Sequence, residues 1–162
     1  MTNSACDVDI SAFLLDENGK VPGDSWFVFY GQDKSQDQST FLSQTNGKDR
    51  EMISIVFSKL DSRVKRIVFV LSIYEAFEKQ LDFTMLKDIY IRIMDKNDTE
   101  LVSFMVEESG TNMASMLIGE IYQYKDKWKF SAVGSGFVKD LAGVGEWYGV
   151  KDKSFISTIM TQ

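Results

Sequence analysis

The chain has 162 residues, of which 44% are hydrophobic and 13% aromatic, with a single proline and a formal net charge of −6. Length and apolar content together allow one domain with a real core and exclude a disordered chain. The acidic balance discourages nucleic-acid binding, which needs a clustered cationic surface, and suits a hard cation better.

No apolar run approaches the ~20 residues that a membrane-spanning helix needs. The opening stretch, Met1 to Asp7, has neither a basic region nor an apolar one, so no signal peptide is expected and the reading is cytoplasmic. Cys6 is the only cysteine, which rules out an internal disulfide and suits a reducing compartment. Histidine is absent altogether. That removes serine–histidine and cysteine–histidine nucleophile pairs, histidine-based zinc sites and the commonest general base. Carboxylate and lysine chemistry remain open.

The stretch Asp7 to Gln32 organises the rest. Asp7 to Leu15 and Ser25 to Gln32 are apolar, β-rich runs on either side of Asn18-Gly19 and Pro22-Gly23, which predicts an antiparallel pair with an elaborated turn. Period two puts Asp7, Asp9, Ser11, Phe13 and Leu15 on one face. Two carboxylates at that spacing either stay solvated at the strand start or share a cation, since otherwise they repel.

A polar loop, Asp33 to Thr40, leads to a short Phe41-Leu42. The oxygen-rich segment Gln44 to Glu51 then predicts a turn, and Ile53 to Phe57 a strand. Lys59 to Lys65 reads as a connector with one helical turn. Arg66 to Tyr74 gives the strongest strand signal, apolar on both faces and therefore central. Glu75 to Asp82 fits a helical turn or a loop. Ile89 to Met94 and Leu101 to Val106 predict a hairpin around Asp95 to Asp98, which lacks the glycine and the final glutamate of a calcium loop and reads as an ordinary turn.

Met113 to Ile121 carries mixed spacing and is read as a strand from its context. Tyr122 to Tyr124 and Trp128 to Val133 form a hairpin around Lys125 to Lys127, with the alternating charges there read as a solvated strand face. Gly134-Ser135-Gly136 reads as a turn, because it lacks the full glycine fingerprint of a phosphate loop. Leu141 to Tyr148 predicts a short helix. Ser154 to Gln162 is a candidate extra strand. The fold expected is mainly β, an antiparallel sandwich of about eight strands with a short C-terminal helix, spanning residues 1–162 as one domain.

The residues now resemble the TerD family, bacterial proteins of tellurium-resistance and stress-response gene clusters. Asp7 to Leu15 is similar to the family's acidic opening strand, Phe27 to Gln32 to its aromatic strand end and Arg66 to Val70 to its central strand. Ile118 to Tyr122, Trp128 to Phe130, Ala132 to Phe137 and Leu141 to Gly143 resemble its C-terminal signature. The resemblance covers about Asp7 to Val150. It implies a β-sandwich that binds a pair of calcium ions through loops at one end.

Carried over residue by residue, it implies Asp7, Asp9, Asn46, Asp49 and Glu51 as the calcium ligands here. The family's long acidic loop shrinks in this chain to Asn46 to Glu51, and Lys48 and Arg50 stand where acidic or small residues are usual. Calcium needs about six to eight oxygens with enough negative charge to replace its water. Four carboxylates opposed by two cations therefore predict one weak site or none.

Family members also carry strand-forming sequence ahead of the acidic strand, so the resemblance implies a shorter start here and an uncovered edge, with residues 151–162 as an extra tail that could cover it. The function expected is a non-enzymatic stress-response protein that docks protein partners, with no nucleic acid among them. Peripheral association with a membrane and self-association through the strand edge are both compatible with it. The alternative in the same family is a metal-free assembly module. An enzyme or small-ligand binder built on Asp24, Glu120 or Tyr122 is the third reading, and it lacks a base–nucleophile pattern.

Overall fold

The computed structural model describes residues 8–44, 51–73, 90–94, 100–105, 114–137, 139 and 141–151. Within them the chain forms nine strands and one helix: β1 (Val8–Leu15), β2 (Phe27–Val28), β3 (Thr40–Gln44), β4 (Glu51–Ile55), β5 (Arg66–Ile73), β6 (Tyr90–Met94), β7 (Glu100–Met105), β8 (Ser115–Tyr124), β9 (Lys127–Phe137) and α1 (Leu141–Trp147). A five-stranded antiparallel sheet runs in the order β2-β1-β5-β8-β9, and β3–β4 and β6–β7 form two-stranded ribbons. The expected segments at Glu75 to Asp82, Asp95 to Asp98 and Ser154 to Gln162 lie outside the described residues.

β5 sits in the middle of the sheet, as its two apolar faces predict. Ile67, Val68, Val70, Leu71 and Ile73 are all buried. β1 pairs with β5 along its whole length, from Val8↔Ile73 to Leu15↔Arg66. β1 meets β2 at only two positions, Ala12↔Val28 and Phe13↔Phe27, which corrects the expectation of a long second arm. The cause is local. Asp24–Trp26 form a 3-10 turn, and the Gln32 side chain folds back, its Nε2 donating to the carbonyls of Asp24 (2.9 Å) and Phe27 (2.6 Å). Phe29 and Gln32 exchange backbone hydrogen bonds across Tyr30-Gly31, closing the run into a loop.

The aromatic alternation of that run still does its packing work. Phe13, Phe27 and Phe29 are completely buried. Phe13 stacks on Phe27 at 4.2 Å between ring centroids, and Phe27 on Phe29 at 4.6 Å. Just past α1, Tyr148 leans on Phe13 at 5.0 Å, and Leu141, Val144 and Val150 complete the core on that side. The helix ends in a Schellman motif, with the Val150 N–H on the Gly145 carbonyl (2.9 Å) and Gly149 at φ +96°, a conformation that suits glycine.

By register, Phe13 and Trp128 fall on opposite faces of the sheet. Phe57, just beyond β4, lies 5.8 Å from Trp128, and Leu42, Ile53 and Ile55 of the β3–β4 ribbon pack on the core. The sheet is thus covered by α1 on one face and the ribbon on the other. This is the sandwich.

Two further expectations change. The strand expected at Ile53 to Phe57 stops at Ile55, and Phe57–Lys59 form a 3-10 turn. Gly134-Ser135-Gly136 is no turn, because β9 continues through it to Phe137. The ladder slips between Leu117↔Ser135 and Gly119↔Ala132, so the glycines serve a β-bulge, which needs an extra residue and backbone latitude. Gly119 stands where a Cβ would meet the Phe130 ring at 2.8 Å and the Ser131 carbonyl at 3.2 Å. That close approach accounts for the glycine in Ile118-Gly119-Glu120.

Candidate functional site

The residues implied as calcium ligands belong to two places in the fold. Asp9 is the second residue of β1, half-buried, opposite Ser72 of β5. Ser11 follows on the same face, and its hydroxyl donates to the Val70 carbonyl (3.3 Å). Glu51 opens β4 opposite Gln44, and the oxygen-rich segment 45–50 lies outside the described residues. Asp7, Asn46 and Asp49 lie outside the described residues. Among the described residues no three carboxylates or thiols converge on a common point.

Several other carboxylates are committed to the fold, and sequence reasoning missed most of them. Asp37 caps the loop before β3. Its Oδ1 accepts from Ser35 Oγ (2.7 Å) and the Ser39 N–H (3.0 Å), and its Oδ2 accepts from the Asp61 N–H (2.9 Å). Partial burial works against its charge, but the hydrogen bonds from Ser35, Ser39 and Asp61 outweigh it and hold its carboxyl below the usual range. It thereby fastens the 33–40 loop to the connector before β5. The signal available in advance was Ser35-x-Asp37-x-Ser39, a pattern rich in local side-chain-to-backbone bonding. Asp61 itself pairs with Arg63 at 3.0 Å, and Arg63 in turn lies over the buried Trp26 ring at 5.2 Å.

The residues of the catalytic reading are separated by role. Asp24 Oδ1 accepts the Lys151 N–H (2.7 Å), tethering the chain just past α1. Glu120 pairs with Arg66 at 3.3 Å, and Tyr122 stands between Arg66 and Lys129 in the ladder. Tyr148 is buried nearby. Burial first, and the Glu120 charge second, push its phenol up, against a smaller opposing effect of Arg66. This is a partly exposed ion pair beside a packed tyrosine.

The chain's relatives bear on this arrangement. The family model for the TerD domain matches residues 1–148. The chain is 37% identical over 150 residues to the tellurium resistance protein TerD of Serratia marcescens, covering 89% of this chain and 78% of that protein. It is 30% identical over 151 residues to general stress protein 16U of Bacillus subtilis (strain 168), covering 90% and 78%. The fold is similar to the crystal structure of SAV2460, a protein of unknown function, with a TM-score of 0.70 at 20% identity over 93% of this chain and 89% of that one. No helix among the described residues is long and apolar enough to cross a membrane. The chain belongs to the TerD family, whose named relatives here are a tellurium-resistance protein and a general stress protein.

Proposed function

We propose that this chain is a non-enzymatic stress-response protein of the tellurium-resistance type, which binds calcium weakly through loop carboxylates and docks protein partners. The single observation that carries the reading is the TerD match over residues 1–148, together with 37% identity to a protein named for tellurium resistance. The absence of histidine and the structural commitment of Asp24, Asp61 and Glu120 support binding over catalysis.

The donor chemistry fits a hard cation, because every implied ligand offers oxygen. Asp7, Asp9, Asn46, Asp49 and Glu51 would hold the ion, which would supply fixed positive charge between otherwise repelling carboxylates.

Lys48 and Arg50 weaken the site. Calorimetric titration is expected to give a dissociation constant on the order of 10⁻⁴ M or weaker, and sub-micromolar binding would overturn the weak-site reading. Replacing Lys48 and Arg50 by Asp should tighten binding. No heat at any calcium concentration, with the double variant equally silent, would favour the metal-free assembly module. The stress role is tested separately, by whether the chain restores tellurite resistance to a host lacking its own TerD.

A further inference from the structure

At the Leu15 end of the sheet one face gathers cations around two phenols. Arg66 stands opposite Tyr122, Tyr122 opposite Lys129, and Tyr124 opposite Lys127. Cross-strand partners project to the same face, so three cations and two tyrosines share that surface. Lys125, in the turn, adds a fourth cation. Its Nζ lies 5.3 Å from the Tyr124 ring centroid, and Lys129 Nζ lies 4.8 Å from it. The three lysines are exposed, and Tyr124 is 50% exposed. Against these four cations stand Asp126 in the turn and Glu120, which Arg66 already engages at 3.3 Å. In a chain of net charge −6, this small face is locally inverted to positive.

The size of the face decides what can occupy it. Lys127 and Lys129 are separated by ~7 Å of strand, and Arg66 and Lys129 by two strand spacings, ~10 Å. Like charges held this closely repel unless an anion lies between them. The backbone beneath them is firm. Trp128, on the opposite face of β9, packs against Phe57 at 5.8 Å, and the β8–β9 ladder runs unbroken from Gly119↔Ala132 to Tyr124↔Lys127. The turn adds a second observation. Lys125 and Asp126 adopt φ of 51° and 63°, a left-handed pair that glycine and asparagine prefer. Lysine is a poor choice for that backbone, but here it holds an ammonium at the Tyr124 ring, on the cationic face.

We propose that this face binds a compact polyphosphate, either inorganic or the phosphate tail of a nucleotide, through Arg66, Lys125, Lys127 and Lys129. Ammonium and guanidinium groups only donate, the two phenols can donate beside them, and phosphoryl oxygens are strong acceptors. Adjacent phosphoryl groups concentrate their negative charge within the ~7 by ~10 Å that the cations span. An extended acidic peptide is a poorer fit. It presents carboxylates on one side only every ~7 Å, so most of its length would run onto the remainder of the chain, which is more acidic than the whole. A duplex or a bilayer has a wider footprint and meets the same repulsion. The inference goes beyond the role proposed above and depends on neither calcium nor a protein partner.

The probe is tripolyphosphate, titrated calorimetrically into the full chain in calcium-free buffer, with ATP as a second arm. Saturable binding of tripolyphosphate is expected, added salt should weaken it, and Lys127→Gln with Lys129→Gln should weaken it about tenfold or more. Amide shifts in the wild-type chain should localise to Arg66 and residues 120–129, a readout that needs no variant. ATP binding no tighter than tripolyphosphate assigns the phosphate chain alone. Tighter ATP binding, with the excess lost in Tyr124→Ala, assigns a nucleotide whose base lies on that ring. Absence of saturable binding in both arms, unchanged affinity in the double variant, or tighter binding of a polyglutamate peptide, phosphatidylserine vesicles or oligothymidylate would each overturn the proposal. Failure here leaves tellurite complementation untouched, whereas failed complementation with intact tripolyphosphate binding removes the stress role and keeps this site.

Discussion

Two aromatic regions of this protein use similar side chains to opposite ends. Phe13 on β1, Phe27 on β2 and Phe29 just past β2 are completely buried and stack ring on ring. Phe57, Tyr124 and Trp128, at one end of the same sheet, stay partly in water, and Tyr124 has ammonium groups for neighbours. The composition of the strands does not separate the two. What separates them is the residue across the ladder: Val68 faces Phe13, and Lys127 faces Tyr124. An aromatic beside an aliphatic partner joins the core. An aromatic beside a lysine becomes surface with some binding capacity.

The sharpest way to break this contrast is to truncate one ring in each region. Phe13→Ala removes a stacked, fully buried ring and is expected to cost ~3–5 kcal/mol, lowering the melting temperature by several degrees at least. Tyr124→Ala should change stability by less than about 0.5 kcal/mol, as an exposed site does. Equal losses in thermal melts would remove the distinction.

The next effect tests a polar tether between the regions. Asp37→Ala strips three hydrogen bonds from a partly exposed carboxylate and should cost ~1–2 kcal/mol. Because the native fold lowers the Asp37 pKa, its contribution is complete above the ordinary aspartate range and is lost as pH falls through the lower native value. The gap in melting temperature between wild type and variant should therefore narrow in acid. A gap that stays constant into strong acid would show that the charge is not what matters.

The smallest effect is a gain. Lys125→Asn with Asp126→Gly gives the hairpin turn its preferred residues and should stabilise the fold by about 1 kcal/mol. The same variant loses the ammonium beside the exposed Tyr124 ring, a contact that offsets only part of that gain. An unchanged melting temperature would show that the left-handed pair does not limit the hairpin.

Much of this fold was legible in the residues. Arg66 to Ile73 declares a central strand because β-branched side chains fill both faces, and Leu141 to Trp147 declares a helix despite its glycines. What could not be read was any outcome set by one side chain reaching back to the backbone. Gln32 closes the aromatic run into a loop after two ladder positions, and no periodicity encodes that bond. Gly134 to Gly136 looks like a turn in isolation, yet with β8 alongside the cheaper solution is a bulge. Of the implied calcium ligands, position along a strand was legible for Asp9, whereas Glu51 reads as part of a turn and instead opens β4. The lysine-rich hairpin was legible as a solvated strand face, and Lys125, Lys127 and Lys129 are exposed; alternation along one strand does not reveal that Tyr122 and Tyr124 stand opposite its lysines.

The three tryptophans offer a spectroscopic consequence of this layout. Trp26 is 3% exposed beneath Arg63, Trp128 is half-buried against Phe57, and Trp147 is 56% exposed with Lys20 and Lys139 near its ring. Their indoles thus sample three polarities in one chain, which should spread their emission from blue-shifted to nearly aqueous. Iodide, an anionic quencher drawn in by the two lysines, should reach Trp147 first and Trp26 last. With Trp147 and Trp26 replaced by Phe, the remaining emission comes from Trp128 on β9, at the edge of the five-stranded sheet. The protein thus carries its own optical gauge of that edge, readable without any attached dye.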